Sequence, residues 1–200
     1  MRLQRSVAPD ASNNGAIMTD EASLLQRARE RDPAALATIY DTYAPQIYAY
    51  IYRRIRDPHR AEDLTSTVFL KMLESLDKNN FARERLQSWL YRIAHNTIID
   101  HVRYQQRRPV QTLYEVVETH SEEDPASLVQ KQMQDEAVWN AIQQLTEDQK
   151  NVIILRFGEG LTAPQVAEIL DKTEEAVRAL QRRGLANLRK ILSPSQADLF

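Results

Sequence analysis

Twice in the first sixty residues an aspartate stands directly before a proline, at Asp32-Pro33 and at Asp57-Pro58. Each pair is a helix start. The aspartate carboxylate satisfies orphan backbone N–H groups at the N-cap, and proline fits the first helical turn, where its missing N–H costs nothing. After each start the apolar residues recur at steps of three and four. Leu36, Ile39, Tyr40, Tyr43, Ile47, Tyr50 and Ile51 follow the first, and Leu64, Val68, Met72, Leu73 and Leu76 the second. Pro45 lies inside the first run and is expected to kink it. Residues 77–84 read as a loop or a weakly capped start. A third run, 86–108, carries Leu86, Trp89, Leu90, Ile93, Ala94, Ile98 and Val102. Thr146 with Gln149, and Thr162 with Gln165, fit the capping box and open two more helices. Only four glycines in 200 residues argue against a turn-rich all-β fold. The expected fold is all-α.

Charge divides the chain. Residues 1–18 show no period and read as a disordered tail, and Met18, just before the cap signal of Thr19, stands as a candidate start of translation. Residues 19–108 form a first helical domain. Residues 109–125 contain Glu115, Glu118, Glu122, Glu123 and Asp124 and neither lysine nor arginine, which reads as an acidic linker. Residues 126–195 form a second helical domain. The net charge of -2 conceals this segregation. There is no cysteine, so disulfides and thiolate metal sites are excluded. No apolar run approaches the roughly 18 residues of a membrane span, and no apolar core of a secretory signal follows the N-terminal arginines.

Two stretches point to nucleic acid. In "TAPQVAEILDKTEEAVRALQRRG" a short helix with Val166, Ile169 and Leu170 inward stops at Asp171-Lys172-Thr173. A second helix with Val177, Leu180, Gly184, Leu188 and Ile191 inward then begins. That is the spacing of a helix-turn-helix. Aspartate tolerates the left-handed conformation such a turn needs. Glu174 and Glu175 suit the positive end of the helix dipole. Arg178, Arg182 and Arg189 share a separate face, able to meet phosphates or guanine edges in a major groove. A solvated basic face is the plainer account. In residues 81–108, six arginines interleave with Phe81, Trp89, Tyr91 and Tyr104. Cations beside rings suit unpaired strands, although Trp89 is expected in the core.

"AEDLTSTVFLKMLESL" followed by "WLYRIAHNTIIDHVR" resembles region 2 of bacterial sigma factors. "LTEDQKNVIILRFGEGLTAPQVAEILDKTEEAVRALQRRGLANLRK" resembles their region 4. The short gap between the two resembles the extracytoplasmic-function (ECF) group, which has only these two domains. The likeness covers about 170 residues in the order the family requires. It implies a protein without catalytic residues, metal or cofactor, working in the cytoplasm. Its partners would be core RNA polymerase (the β′ clamp helices and the β flap), promoter DNA and an anti-sigma factor, with no insertion into a membrane.

The resemblance also implies roles for residues. Glu62, Asp63, Leu64, Phe69 and Leu70 would dock on the clamp helices. Asn79, Asn80 and Phe81 would capture a base flipped from the -10 element. Arg92, His95, Asn96, Ile99 and Arg103 would read and hold the melted -10 strand. Arg178, Ala179, Arg182 and Arg183 would face the -35 element. The acidic linker would thread toward the RNA exit channel. Ser66-Thr67 stands where the family often has Gln-Glu, and Ala179 offers only a methyl contact. Separate domains on a flexible tether, out of register, would bind promoter DNA poorly when free. A conventional helix-turn-helix regulator would instead bind duplex operator alone, usually as a dimer. A protein-binding scaffold would show little salt dependence. An enzyme would need the metal spacing, nucleophile motif or phosphate loop that His59, His95, His101, His120 and their surroundings do not provide.

Overall fold

A computed structural model describes residues 13–76, 85–107 and 136–193. Every regular element among them is helical. The first module consists of α1 (Asn13–Arg29), α2 (Pro33–Ile55), α3 (Pro58–Ser75) and α4 (Leu86–Arg107). The second consists of α5 (136–143), α6 (Glu147–Ile153), a π-helical turn (Ile154–Gly158), α7 (Ala163–Leu170) and α8 (Glu174–Leu192). The acidic segment 109–125 and the loop 77–84 lie outside the described residues. Helix α1 begins at Asn13, inside the stretch expected to lack structure.

The cap signals are used as their chemistry requires. The Asp32 carboxylate accepts from the Ala34 N–H at 2.9 Å, and Asp57 accepts from Arg60 N–H at 3.0 Å. Thr162 and Gln165 form the full capping box. Thr146 forms half of one: its hydroxyl accepts from the Gln149 N–H, but the Gln149 side chain instead accepts from Asn187 on α8 at 3.1 Å. A tertiary partner has taken the local one's place. At the start of α4, Glu21 of α1 accepts from the Leu86 N–H. Helix α2 runs unbroken through Pro45, which lies on the solvent side of the helix.

The apolar stripes meet as their periods require. Ile39, Ile47, Tyr50 and Ile51 of α2, Val68 and Met72 of α3, and Trp89, Leu90, Ala94 and Ile98 of α4 are buried together. Leu155, Leu161, Val166, Ile169 and Val177 are buried in the second module. What the stripes did not announce is that these two sets form one continuous core. Helix α4 packs on α7, and α2 packs on the π-turn. The modules expected to hang apart on a tether are seated against each other. The closeness of α8 to α6 depends on Gly184, where an added Cβ would lie 3.0 Å from the Ile153 side chain.

His95 lies at this seam. It is only 7% exposed, with Nδ1 3.2 Å from the Tyr50 hydroxyl. Burial, assisted by the nearby Arg54 cation, lowers its pKa to about 4. The ring is therefore neutral in the packed state and takes a proton more readily once exposed. Since the folded value lies below the ordinary 6.5, its contribution to the packed state is complete above about 6.5 and is lost as pH falls toward 4. An NMR titration of the His95 imidazole should therefore give a midpoint near 4; a midpoint near 6.5 would mean that the seam is open to water. Replacing Thr162 by alanine removes the hydroxyl half of the capping box, while the backbone N–H at 162 can still donate to Gln165, and should cost about 1 kcal/mol in chemical denaturation.

Candidate nucleic-acid interface

The C-terminal module presents a helix-turn-helix. Asp171 ends α7 in the left-handed region, at φ 51° and ψ 52°, and the Lys172 N–H returns to the Ala167 carbonyl at 3.0 Å. The Thr173 hydroxyl then caps α8 by accepting from the Ala176 N–H at 3.2 Å. Val177 and Gly184 face inward, Leu180 and Leu188 are partly buried, and Ile191 lies more exposed near the helix end. Arg178, Arg182 and Arg183 are exposed and Ala179 is half-buried beside them. Arg178 is held by Glu174 one turn back at 2.8 Å, and Arg183 Nε donates to the Ala179 carbonyl at 3.4 Å. Among the described residues, Arg182 has no such anchor, which leaves its five donors for a ligand. Arg156 of the π-turn donates to Gln181 at 3.0 Å and to the Leu161 carbonyl, so the loop before α7 is tied to α8.

In the N-terminal module, Arg92, His95, Asn96, Ile99 and Arg103 fall on one side of α4 at helical spacing. Asn96 and Arg103 are exposed, Arg92 and Ile99 half-buried, and His95 buried under the second module. Lys71 of α3 steadies this helix by donating to Thr97 at 3.2 Å and lying 3.5 Å from Asp100. Asn79, Asn80 and Phe81 lie outside the described residues.

The residues assigned to the polymerase divide into two groups. Glu62, Asp63 and Leu70 are exposed, whereas Leu64 and Phe69 are 9% and 6% exposed and belong to the core. Buried side chains shape α3 without themselves meeting a partner. Phe69 instead backs Tyr40, their ring centroids 4.8 Å apart, and Tyr40 is half exposed. Tyr40 and Leu70 thus form the apolar spot beside the acidic pair. Tyr40 was legible only as part of the apolar stripe of α2, because helical period cannot say where a stripe meets its edge.

The seam between the modules is polar at its rim. Arg53 lies 2.5 Å from Glu159, whose other oxygen accepts from the Tyr91 hydroxyl at 3.0 Å. Arg54 pairs with Glu147 at 2.9 Å, and Gln165 donates to Gln87 at 3.0 Å. Burial raises the pKa of Glu159 even with Arg53 alongside. Burial likewise pushes Tyr91 and Tyr50 above the ordinary phenol range. Glu147 is lowered: burial alone would raise it, but its hydrogen bonds to Lys150 and Arg54 prevail. Tyr91 was noted in the sequence only as one of the interleaved rings, and Arg53, Arg54 and Glu159 not at all. The single local sign was the Gly-Glu-Gly run at 158–160, which hinted at an unusual turn.

Next to the seam, α2, α5, the π-turn and α8 enclose a groove of about 710 Å³. Ile142, Phe157 and Leu185 line it, and Arg56 lies over the Tyr52 and Trp139 rings at 5.8 and 5.3 Å. The described residues include no cluster of three or more side chains suited to a metal ion. No described helix is long and apolar enough to cross a membrane.

Comparison with known proteins gives this geometry a family. Residues 39–108 match Sigma-70 region 2, and residues 141–190 match Sigma-70 region 4. The ECF RNA polymerase sigma factor BldN of Streptomyces coelicolor is 30% identical over 185 residues, covering 92% of this chain and 69% of that protein. The ECF RNA polymerase sigma factor SigX of Bacillus subtilis is 32% identical over 168 residues, covering 81% and 86%. The fold is shared with CnrH, solved in complex with the cytosolic domain of CnrY, at a TM-score of 0.64 and 20% identity, over 86% of this chain and 96% of that one. It is shared also with the sigma factor RpoE of Bartonella quintana, solved with the anti-sigma factor NepR, at 0.60 and 19%, over 78% and 96%. With both regions present in order and relatives matched across most of the sequence, the chain belongs to the sigma factors of RNA polymerase, in the ECF group.

Proposed function

We propose that this chain binds core RNA polymerase in the cytoplasm, directs it to promoters and favours strand opening, without catalysing a reaction itself. The polymerase supplies the catalysis. The observation that carries this reading is the pairing of two unlike DNA-facing surfaces in one chain: a duplex-reading helix, α8, and a second helix, α4, whose exposed Asn96, Arg103 and Tyr104 suit unpaired strands although its Trp89 and Tyr91 are buried. A conventional regulator needs only the first. Tyr40, Glu62, Asp63 and Leu70 offer a mixed apolar and acidic patch for the β′ clamp helices. The apolar groove beside Phe157 and Leu185 suits a helix from the β flap. Asn79, Asn80 and Phe81 remain our assignment for the flipped base. The sigma factor RpoE, which shares this fold and was solved with the anti-sigma factor NepR, supports an anti-sigma factor acting on this chain too.

Division of labour follows from the physics. Contacts that hold duplex and opened DNA equally well cannot open a strand, so α4 must favour the unpaired form. Unstacking a base costs a few kcal/mol, which its pocket must offset.

Run-off transcription from a genomic promoter library tests the reading: core enzyme with this chain should initiate at a defined set of promoters that core alone ignores. Identical transcripts with and without the chain would end it. Within that assay Arg182→Ala should cost about 1–3 kcal/mol at a single -35 position, as for a lost bidentate base contact; equal loss on every promoter would reassign Arg182 to phosphate. Leu70→Asp, at a site 60% exposed, should weaken co-purification with core while leaving the melting temperature unchanged.

A further inference from the structure

The strand-facing side of α4 continues onto α2. Tyr50 holds the two helices together, its ring edge-on to that of Tyr91 with centroids 5.5 Å apart and its hydroxyl 3.2 Å from His95 Nδ1. Arg53 and Arg54 follow Tyr50 within the next turn. We propose that Arg53 and Arg54 extend the single-strand-binding side of α4 past Tyr91 and His95 onto α2, and that Glu159 and Glu147 cover this extension here by standing where two backbone phosphates would sit. This rests on the promoter-opening reading and deepens it.

Four observations support the assignment. Arg53 shares Glu159 with the Tyr91 hydroxyl and Arg54 lies near His95, so guanidinium groups stand beside rings that are buried here and reach a strand only once the modules part. The carboxylates meet the arginines as a phosphate oxygen would, in charge-assisted contacts of 2.5 and 2.9 Å. Arg54 is only 7% exposed, yet its Nε is buried without an acceptor. A guanidinium used on one edge only has found an incomplete ligand, and a phosphate brings more oxygens than one carboxylate contact supplies. Finally, Glu147 is 68% exposed and so is held by its hydrogen bonds rather than by packing, which makes it displaceable. Burial also raises Glu159, so its ionised form gains when the modules part.

The plainer account is that Arg53 and Arg54 complement the negative end of α2 and pair with whatever carboxylate lies near. That account leaves the buried Nε unexplained, and it predicts that the arginines add nothing to strand binding once the glutamates are neutralised.

The test uses the full chain and a short fluorescent single-stranded oligonucleotide of mixed sequence. E147Q/E159Q should bind it several-fold more tightly than wild type. D41N/E168Q, with the same change in net charge at two exposed positions, should not. Adding R53A/R54A to E147Q/E159Q should abolish the gain and reduce the salt slope by about 1.4, two phosphate contacts at about 0.7 each. R53Q/R54Q repeats this with long side chains that keep the packing of the stems, and circular dichroism melts accompany every variant. The proposal is overturned if the gain and the slope survive loss of both arginines, or if D41N/E168Q gains equally. Transcription separates this from failure of the parent reading. If the sigma reading is wrong, core initiates nothing with the wild-type chain; if only this surface is wrong, wild type and R53A/R54A direct initiation equally.

Discussion

A carboxylate taken out of water must be matched on every side, and the Glu159 side chain, 5% exposed, is matched by a guanidinium from α2 and a phenol from α4. These three groups come from three elements and two modules, and much of the remaining architecture depends on their meeting. Withdrawing either partner would leave a buried charge partly unpaired, which is far costlier than losing a surface ion pair. The π-turn at Ile154–Gly158 delivers Glu159 to this point. An extra residue in a helical turn rotates the next side chains out of phase, and such turns recur where a side chain must be re-aimed. The groove lined by Phe157 and the closeness of α4 to α7 come from the same docking.

The docked arrangement and the promoter-bound one make opposing demands on α4. In the first, His95 and Tyr91 face the second module, one neutral and the other hydrogen-bonded. In the second, as we propose it, this side of the helix is free for a strand. A single chain cannot satisfy both at once, so polymerase and DNA must bind the opened form better by more than the seam contributes. On our proposal, poor promoter binding by the free chain would have a cause other than a loose tether: the side of α4 assigned to the strand is covered. The side of α8 assigned to the duplex is not, since Arg178, Arg182 and Arg183 remain exposed.

Much of the fold was legible in the order of residues alone. Asp32, Asp57, Thr162 and Thr173 all cap the helices their spacing announced, because an N-cap is a local contact within three residues. Asp171 in its left-handed turn and Trp89 in the core were readable for similar reasons. The site was readable only in part. The exposure of Arg182 and Arg183 was readable because a basic face opposite an apolar one is visible in the helical period. Leu64 and Phe69 show the limit: the resemblance marked them for a partner, but their side chains complete the packing of α3. Arg53, Arg54 and Glu159 carried no pattern, since charged residues at a helix end or in a turn are commonplace.

The sequence by itself determined the apolar period of the helices, their caps, the helix-turn-helix and the membership of a family, because each is written in contacts between near neighbours or in whole motifs. Only the tertiary structure decided that the two modules share one core, that His95 is enclosed, and that Glu159 meets Arg53 across 106 positions of chain. Such a meeting has no local signature. Its cost in chain entropy and desolvation is recovered only when every surrounding surface is already in place.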